Sequence, residues 1–152
     1  MLAVAILAGC EPDEKCRQNM RVVACVTLRG IAVDSTLVGT EFTKWDSITV
    51  KHITTDSVLY DNQKNLSTLR LPLTVDTTMN SYAMTWRGLT DTLYIRYTNT
   101  MQYVSMACGC IVYHTIDSVW AKQVWMDSVS IINSTVENHE QENIKIHSTV
   151  AQ

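Results

Sequence analysis

Three features of this sequence predict an all-β fold, an antiparallel sandwich of about eight or nine strands, with a small closed barrel as the alternative. Apolar and polar residues alternate with a period of two in one segment after another. Asp-Ser or Asp-Thr pairs recur just ahead of such segments. No segment carries apolar residues at i, i+3, i+4 and i+7, the stripe that an amphipathic helix needs. Abundant threonine, serine and valine with little phenylalanine or proline lean the same way.

From residue 21 to residue 31, Val22, Ala24, Val26 and Leu28 fall on one side and Val23, Cys25, Thr27 and Arg29 on the other, which is strand parity. Gly30 and Gly39 bracket an expected edge or turn. Asp46-Ser47, Asp56-Ser57, Asp91-Thr92 and Asp127-Ser128 each precede alternating apolar residues. Their short polar side chains can bond the backbone of a turn, so each pair reads as a strand entry. In 66–73, Leu69, Leu71 and Leu73 share a face, and Pro72 marks an edge strand or its end. In 81–86, Tyr82, Met84 and Trp86 share a face. The longest apolar stretch, 101–116, reads as one long central strand or two strands broken at Gly109. Segments 129–132 and 144–147 form the last two strands, joined by a polar turn at 137–140.

The chain has 152 residues, 46% of them apolar, and a formal charge of −3. That length supports one domain without a staple. Its Lys and Arg residues are scattered, which speaks against a nucleic-acid partner. Residues 2–7 are apolar, and Ala8 and Gly9 lead into Cys10, the pattern that a lipoprotein signal peptidase cuts. The run is too short to span a bilayer, which takes roughly 20 apolar residues, and it lacks a basic start. The organisation expected is therefore a signal peptide over 1–9, incomplete at its start, a lipidated Cys10 with a tether over 10–20, and one sandwich over 21–150. Acyl chains on Cys10 would hold the protein to a membrane at about 0.8 kcal/mol per buried CH₂.

The lipobox, the segments 56–61 (Asp-Ser-Val-Leu-Tyr-Asp), 66–73 (Leu-Ser-Thr-Leu-Arg-Leu-Pro-Leu) and 91–97 (Asp-Thr-Leu-Tyr-Ile-Arg-Tyr), and Cys108-Gly109-Cys110 together resemble a family of Bacteroidetes lipoproteins of unknown function. The resemblance spans most of the mature chain. It implies a secreted, β-rich domain at the outer membrane, periplasmic or surface-exposed, and carries no activity with it. Cys110 departs from the family's pattern, so no fixed disulfide pairing follows from it. The acidic residues after Cys10 resemble the signal that sends such lipoproteins to the outer face of the outer membrane. Seven of nine aspartates are followed by Ser or Thr, in triplets like those that Bacteroidetes O-glycosylation systems modify. One or more of Ser35, Ser47, Ser57, Thr77, Thr92, Ser118 and Ser128 would then carry glycan, the others being plain turns.

Beyond Cys10 there are four cysteines, Cys16, Cys25, Cys108 and Cys110. Outside the cytoplasm an even number reads as disulfides, here Cys16 and Cys25, in either order, with Cys108 and Cys110. Buried free thiols are the alternative. Cys108, Cys110 and His114 share parity and could suggest a metal site. Positions 110 and 114, however, stand about 13 Å apart along a straight strand, too far to share one ion. No catalytic motif is present: His139-Glu140-Gln141-Glu142 lacks the second histidine of a metalloprotease helix. Neither catalytic residue, metal ligand nor cofactor is assigned. Trp45, Trp86, Trp120 and Trp125 could stack on sugars. The expected function is a lipid-anchored, non-enzymatic interaction module whose partner the residues do not name, with a carbohydrate-binding surface lipoprotein as the second choice and an envelope metal-binding protein as the third.

Overall fold

The computed structural model describes residues 21–33 and 39–151. They form eleven strands and no helix: β1 (Val23–Val33), β2 (Gly39–Phe42), β3 (Ile48–His52), β4 (Val58–Gln63), β5 (Thr68–Pro72), β6 (Met79–Trp86), β7 (Leu89–Ser105), β8 (Gly109–Ala121), β9 (Ser128–Ile131), β10 (Thr135–Val136) and β11 (Glu142–Ala151). A five-stranded sheet runs β2-β1-β11-β9, with β5 paired to β1 beside β2. A six-stranded sheet runs β10-β8-β7-β6-β3-β4. Packed face to face, the two make the expected β-sandwich. The strand number exceeds the expected eight or nine, because short pieces such as β2 and β10 carry no alternation long enough to read.

The core lies between the sheets. Ala24, Val26 and Leu28 of β1 point inward, as do Leu69 and Leu71 of β5 and Ile144 and Ile146 of β11. They meet Ile48, Val50, Tyr82, Met84, Trp86, Leu93, Ile95 and Tyr97 from the other sheet. Pairing is antiparallel everywhere except between β1 and β11, which run parallel. That pair sits in the middle of its sheet, where residues 23–26 are buried on both faces, the setting in which parallel pairing is found. At Gly30 an added Cβ would lie 1.9 Å from the Phe42 ring across the strand pair. Only glycine lets that ring lie on β1.

Two local features fix the lower end of the six-stranded sheet. Arg87 and Gly88 both take positive φ, the two-residue turn that suits a right-twisted hairpin, and they join β6 to β7. Beside this turn the Asp91 carboxylate, 1% exposed, accepts five backbone N–H groups. Thr92 (2.7 Å) and Lys122 (3.1 Å) bond Oδ1, while Val124 (2.8 Å), Trp125 (3.1 Å) and Met126 (3.0 Å) bond Oδ2. Asp91 thus winds the β8–β9 loop around itself. This corrects the reading of Asp91-Thr92 as a strand entry, since both residues lie inside β7 and the entry is the Arg87-Gly88 turn. The pairs at 46 and 56 do stand just ahead of β3 and β4, and at 127 Ser128 is itself the first residue of β9.

The segment 101–116 is two strands, not one central strand. A turn through 106–108 with Gly109 at φ 73° folds β7 back onto β8. Nor is it central throughout, as its outer half extends past the rest of the sandwich.

Candidate functional site

Strand β7 has seventeen residues, and β6 pairs with it only from Leu89 to Arg96. Past Tyr97 its pairing among the described residues is with β8 alone: Asn99 faces His114, Met101 faces Val112 and Tyr103 faces Cys110. The result is a projecting arm about 23 Å long from residue 99 to the tip, at about 3.3 Å per residue. The parity that places Leu93, Ile95 and Tyr97 in the core continues outward through Asn99, Met101 and Tyr103. The inner face of the sheet therefore overruns the sheet that should cover it. Met101 is 72% exposed, Tyr103 60%, Val104 48% and Met106, at the tip, 97%. From Tyr97 to Ile116 there is no Asp, Glu, Lys or Arg.

The root of the arm is held rigidly by buried polar groups. Asn99 Nδ2 donates to the carbonyls of Val75 (2.9 Å) and Thr77 (2.8 Å). Its Oδ1 is then left to accept from His114 Nδ1 at 2.7 Å. The Tyr97 hydroxyl lies 2.7 Å from the Thr74 carbonyl and also bonds Asn80 Oδ1. Asn80 Nδ2 donates to Thr74 Oγ1 (3.0 Å) and to Nε2 of His52 (2.7 Å). The other ring nitrogen, Nδ1, faces the Thr55 N–H at 3.2 Å. His52 and His114 are both buried, and burial pushes both imidazoles below their ordinary pKa. Burial likewise raises the Tyr82 and Tyr97 phenols. The cluster clamps the β5–β6 loop to the arm.

Two other surfaces stand out. On the outer face of the six-stranded sheet Tyr94 and Trp120 stack, with centroids 5.3 Å apart and planes 8° from parallel. The Arg96 guanidinium lies 5.7 Å from the Trp120 ring centre. Between the open edges of β4 and β5 lies a cleft of about 530 Å³ lined by Arg21, Val22, Val23, Leu59, Tyr60, Arg70 and Pro72. There the Tyr60 hydroxyl accepts from the Arg70 amide at 2.8 Å, tying one edge to the other. Arg70 Nε donates to Glu140 at 2.7 Å, which raises the guanidinium pKa and lowers that of the carboxyl.

The residues singled out from sequence distribute unevenly over this structure. Cys10, Cys16 and Ser35 lie outside the described residues. Trp45, Trp86 and Trp125 are core residues, so the expectation that they contact sugar is corrected: each fills the space between the sheets. Trp86 and Trp125 meet edge to face at 5.2 Å, and Trp125 Nε1 donates to the Met84 carbonyl at 3.0 Å. Only Trp120 among the four, 39% exposed, presents a ring to solvent. Cys25 and Cys110 are free thiols, which overturns the pairing that placed both in disulfides. Cys25 sits on the outer face of β1, roofed by Arg70, Glu140 and Gln141, where burial and then Glu140 raise its pKa. Cys110 lies on the arm. Cys108 is not one of the free thiols.

Thr92 is buried and so closed to a glycosyltransferase in the folded protein. Ser57, Thr77 and Ser128 are exposed, and Ser47 and Ser118 half-buried. The Thr77 hydroxyl is engaged with Met79 and Tyr97. His139 and Glu140 lie in the turn before β11, bonded to Glu137 and Arg70 respectively. Among the described residues no three Cys, His, Asp or Glu side chains are grouped to hold a metal. The arm itself was missed as a site. Its signal is the long uncharged stretch after Arg96, which reads equally well as buried strand.

Neither a curated protein nor a solved structure matches the chain. Residues 47–148, more than half of the sequence and including the whole arm, match DUF6452, a family of unknown function, and the chain belongs to that family.

Proposed function

We propose that this protein is a lipid-anchored, non-enzymatic module of the bacterial outer membrane that docks a partner on the β7–β8 arm. The observation that carries this reading is the arm's uncharged, solvent-facing side chains on a rigidly clamped root. A two-stranded hairpin with large apolar residues in water is unfavourable unless something covers it. Its edges also lack the lysines and prolines that usually blunt open strands. The Leu7-Ala8-Gly9-Cys10 sequence supports the anchor, and the resemblance to Bacteroidetes lipoproteins supports the compartment. Site-specific photo-crosslinking in cells tests it, with the probe at Met106 and a control probe at Thr54 in the exposed β3–β4 turn. Adducts formed from the arm and not from the turn are expected. A probe at Met106 that forms none would end this reading.

The stacked Tyr94–Trp120 pair with Arg96 favours a second reading, carbohydrate binding on the outer sheet face. A glycan array with wild type and Trp120→Ala decides it. Binding that the variant loses supports the platform, and no binding to any glycan eliminates it.

A further inference from the structure

We propose that the overrun inner face of the arm, centred on Met101 and Tyr103, packs against the same face of a second copy of this chain, an inference that rests on the arm being a docking surface. The row Leu93, Ile95, Tyr97 is covered by the five-stranded sheet, while Met101 and Tyr103 continue it, exposed, with no sheet opposite among the described residues. A second arm laid across them would supply the missing layer at the usual sheet-to-sheet spacing of about 10 Å.

Charge argues for the chain itself as occupant. Burying an unpaired charge against an apolar face is costly, so the partner surface should be uncharged. The other open strands do not offer one of this length: β2 carries Glu41, β4 carries Asp61, β5 carries Arg70, and β9 has only four residues. The arm offers Tyr97 to Ile116 without a charge. A patch that meets its own copy about a two-fold axis gives a closed dimer. With the two arms antiparallel, the Met106 tip of each copy reaches the other's root. There Val75, exposed beside Asn99, provides an apolar seat. The same arrangement sets the two Cys110 thiols near the axis, since Cys110 faces Tyr103 in the register.

Sedimentation equilibrium and bismaleimide cross-linking of the full chain carrying Cys10→Ser, which keeps it in water, test this. Expected are a concentration-dependent dimer and a cross-linked pair that Cys110→Ser abolishes. Met101→Asp with Tyr103→Asp should weaken the dimer at least about tenfold, equivalent to about 1.4 kcal/mol, while leaving the melting curve of the dilute monomer unchanged. Thr100→Asp, on the opposite face, should leave it intact. A chain that stays monomeric without cross-links, or a dimer indifferent to the double variant, overturns the proposal. So does a monomer that floats with phosphatidylethanolamine–phosphatidylglycerol vesicles through its arm, which would make lipid the occupant. If the purified chain is monomeric while a probe at Met106 still forms adducts in cells, self-pairing fails and the docking arm stands. If Met106 forms none, both fail.

Discussion

The two ends of the β7–β8 hairpin are built from the same strands and differ in almost every other respect. At the Asp91 end, β7 has neighbours on both edges, a sheet opposite, and a loop whose amide groups are satisfied by one carboxylate. At the tip the same alternation of side chains continues, and among the described residues neither a second strand beside β7 nor a sheet facing Met101 and Tyr103 is found. Apolar content does not separate the two ends. What separates them, among the described residues, is whether the five-stranded sheet lies across the inner face, and it stops short of Met101 and Tyr103. The polar cluster of His52, Asn80, Tyr97, Asn99 and His114 marks the frontier between them.

Removing the anchor of the closed end should have the largest effect. Asp91→Ala leaves the amides of Thr92, Val124, Trp125 and Met126 without this acceptor, the Lys122 amide keeping the Thr92 carbonyl at 3.2 Å, and each such loss costs about 1–3 kcal/mol. Because the loop can relax toward water, a total of about 3–5 kcal/mol is expected in urea denaturation. A loss below about 1 kcal/mol would mean that the loop folds without Asp91. Next comes the frontier. Asn80→Ala removes the amide that bonds Tyr97, Thr74 and His52, and should cost about 1–3 kcal/mol.

The same frontier sets the pH response. His52 and His114 have folded pKa values below the ordinary 6.5, so the unfolded chain binds more protons near pH 6. Stability is therefore full above that value and falls as the pH drops below it, by up to about 1.4 kcal/mol per pH unit for each histidine. Protonating His52 would aim a new N–H at the Asn80 amide group that now donates to it, so His52→Gln should flatten the acid limb of a stability–pH profile. At the open end, Met101→Asp with Tyr103→Asp should change monomer stability by less than about 0.5 kcal/mol, since these side chains already face water. A large loss would mean that the arm is packed within its own chain. Smallest of all in energy, but decisive for the cysteines, is thiol labelling of the folded protein. Cys110 should react at once and Cys25 only on unfolding, as followed by intact mass.

How far the sequence foretells this structure follows the same division. Alternation placed β1, β3, β4, β5, β6 and β11 on the right residues, and Pro72 did fall at the end of β5, a strand paired on one side alone. The pattern failed where a local signal had two meanings. Asp91-Thr92 looks like the turn pairs at 46, 56 and 127, yet its carboxylate is directed inward and gathers a loop more than thirty residues away in sequence. A single parity through 101–116 does not survive the turn at 106–108: Cys110, Val112, His114 and Ile116 share a face with Tyr103, Met101, Asn99 and Tyr97, which leaves Val104 on the other. Period two reports which side chains share a face, not whether anything lies across from them. The tryptophans erred for the opposite reason, as three of the four were needed to fill the core.

The pairing of β1 with β11 bears on the order of events when the chain comes into being. The Cys25 amide bonds the side chain of Asn143 across 118 positions, and β1 needs β11 on one side before its sheet is whole. For a chain synthesised N-terminus first, almost the entire sequence must emerge before β1 has both of its described neighbours. Closing that loop is slow by the rule that distant pairings retard folding. The hairpins β3–β4, β6–β7 and β7–β8 pair strands adjacent in sequence and need no such wait, so the five-stranded sheet is the last part of the sandwich to become whole.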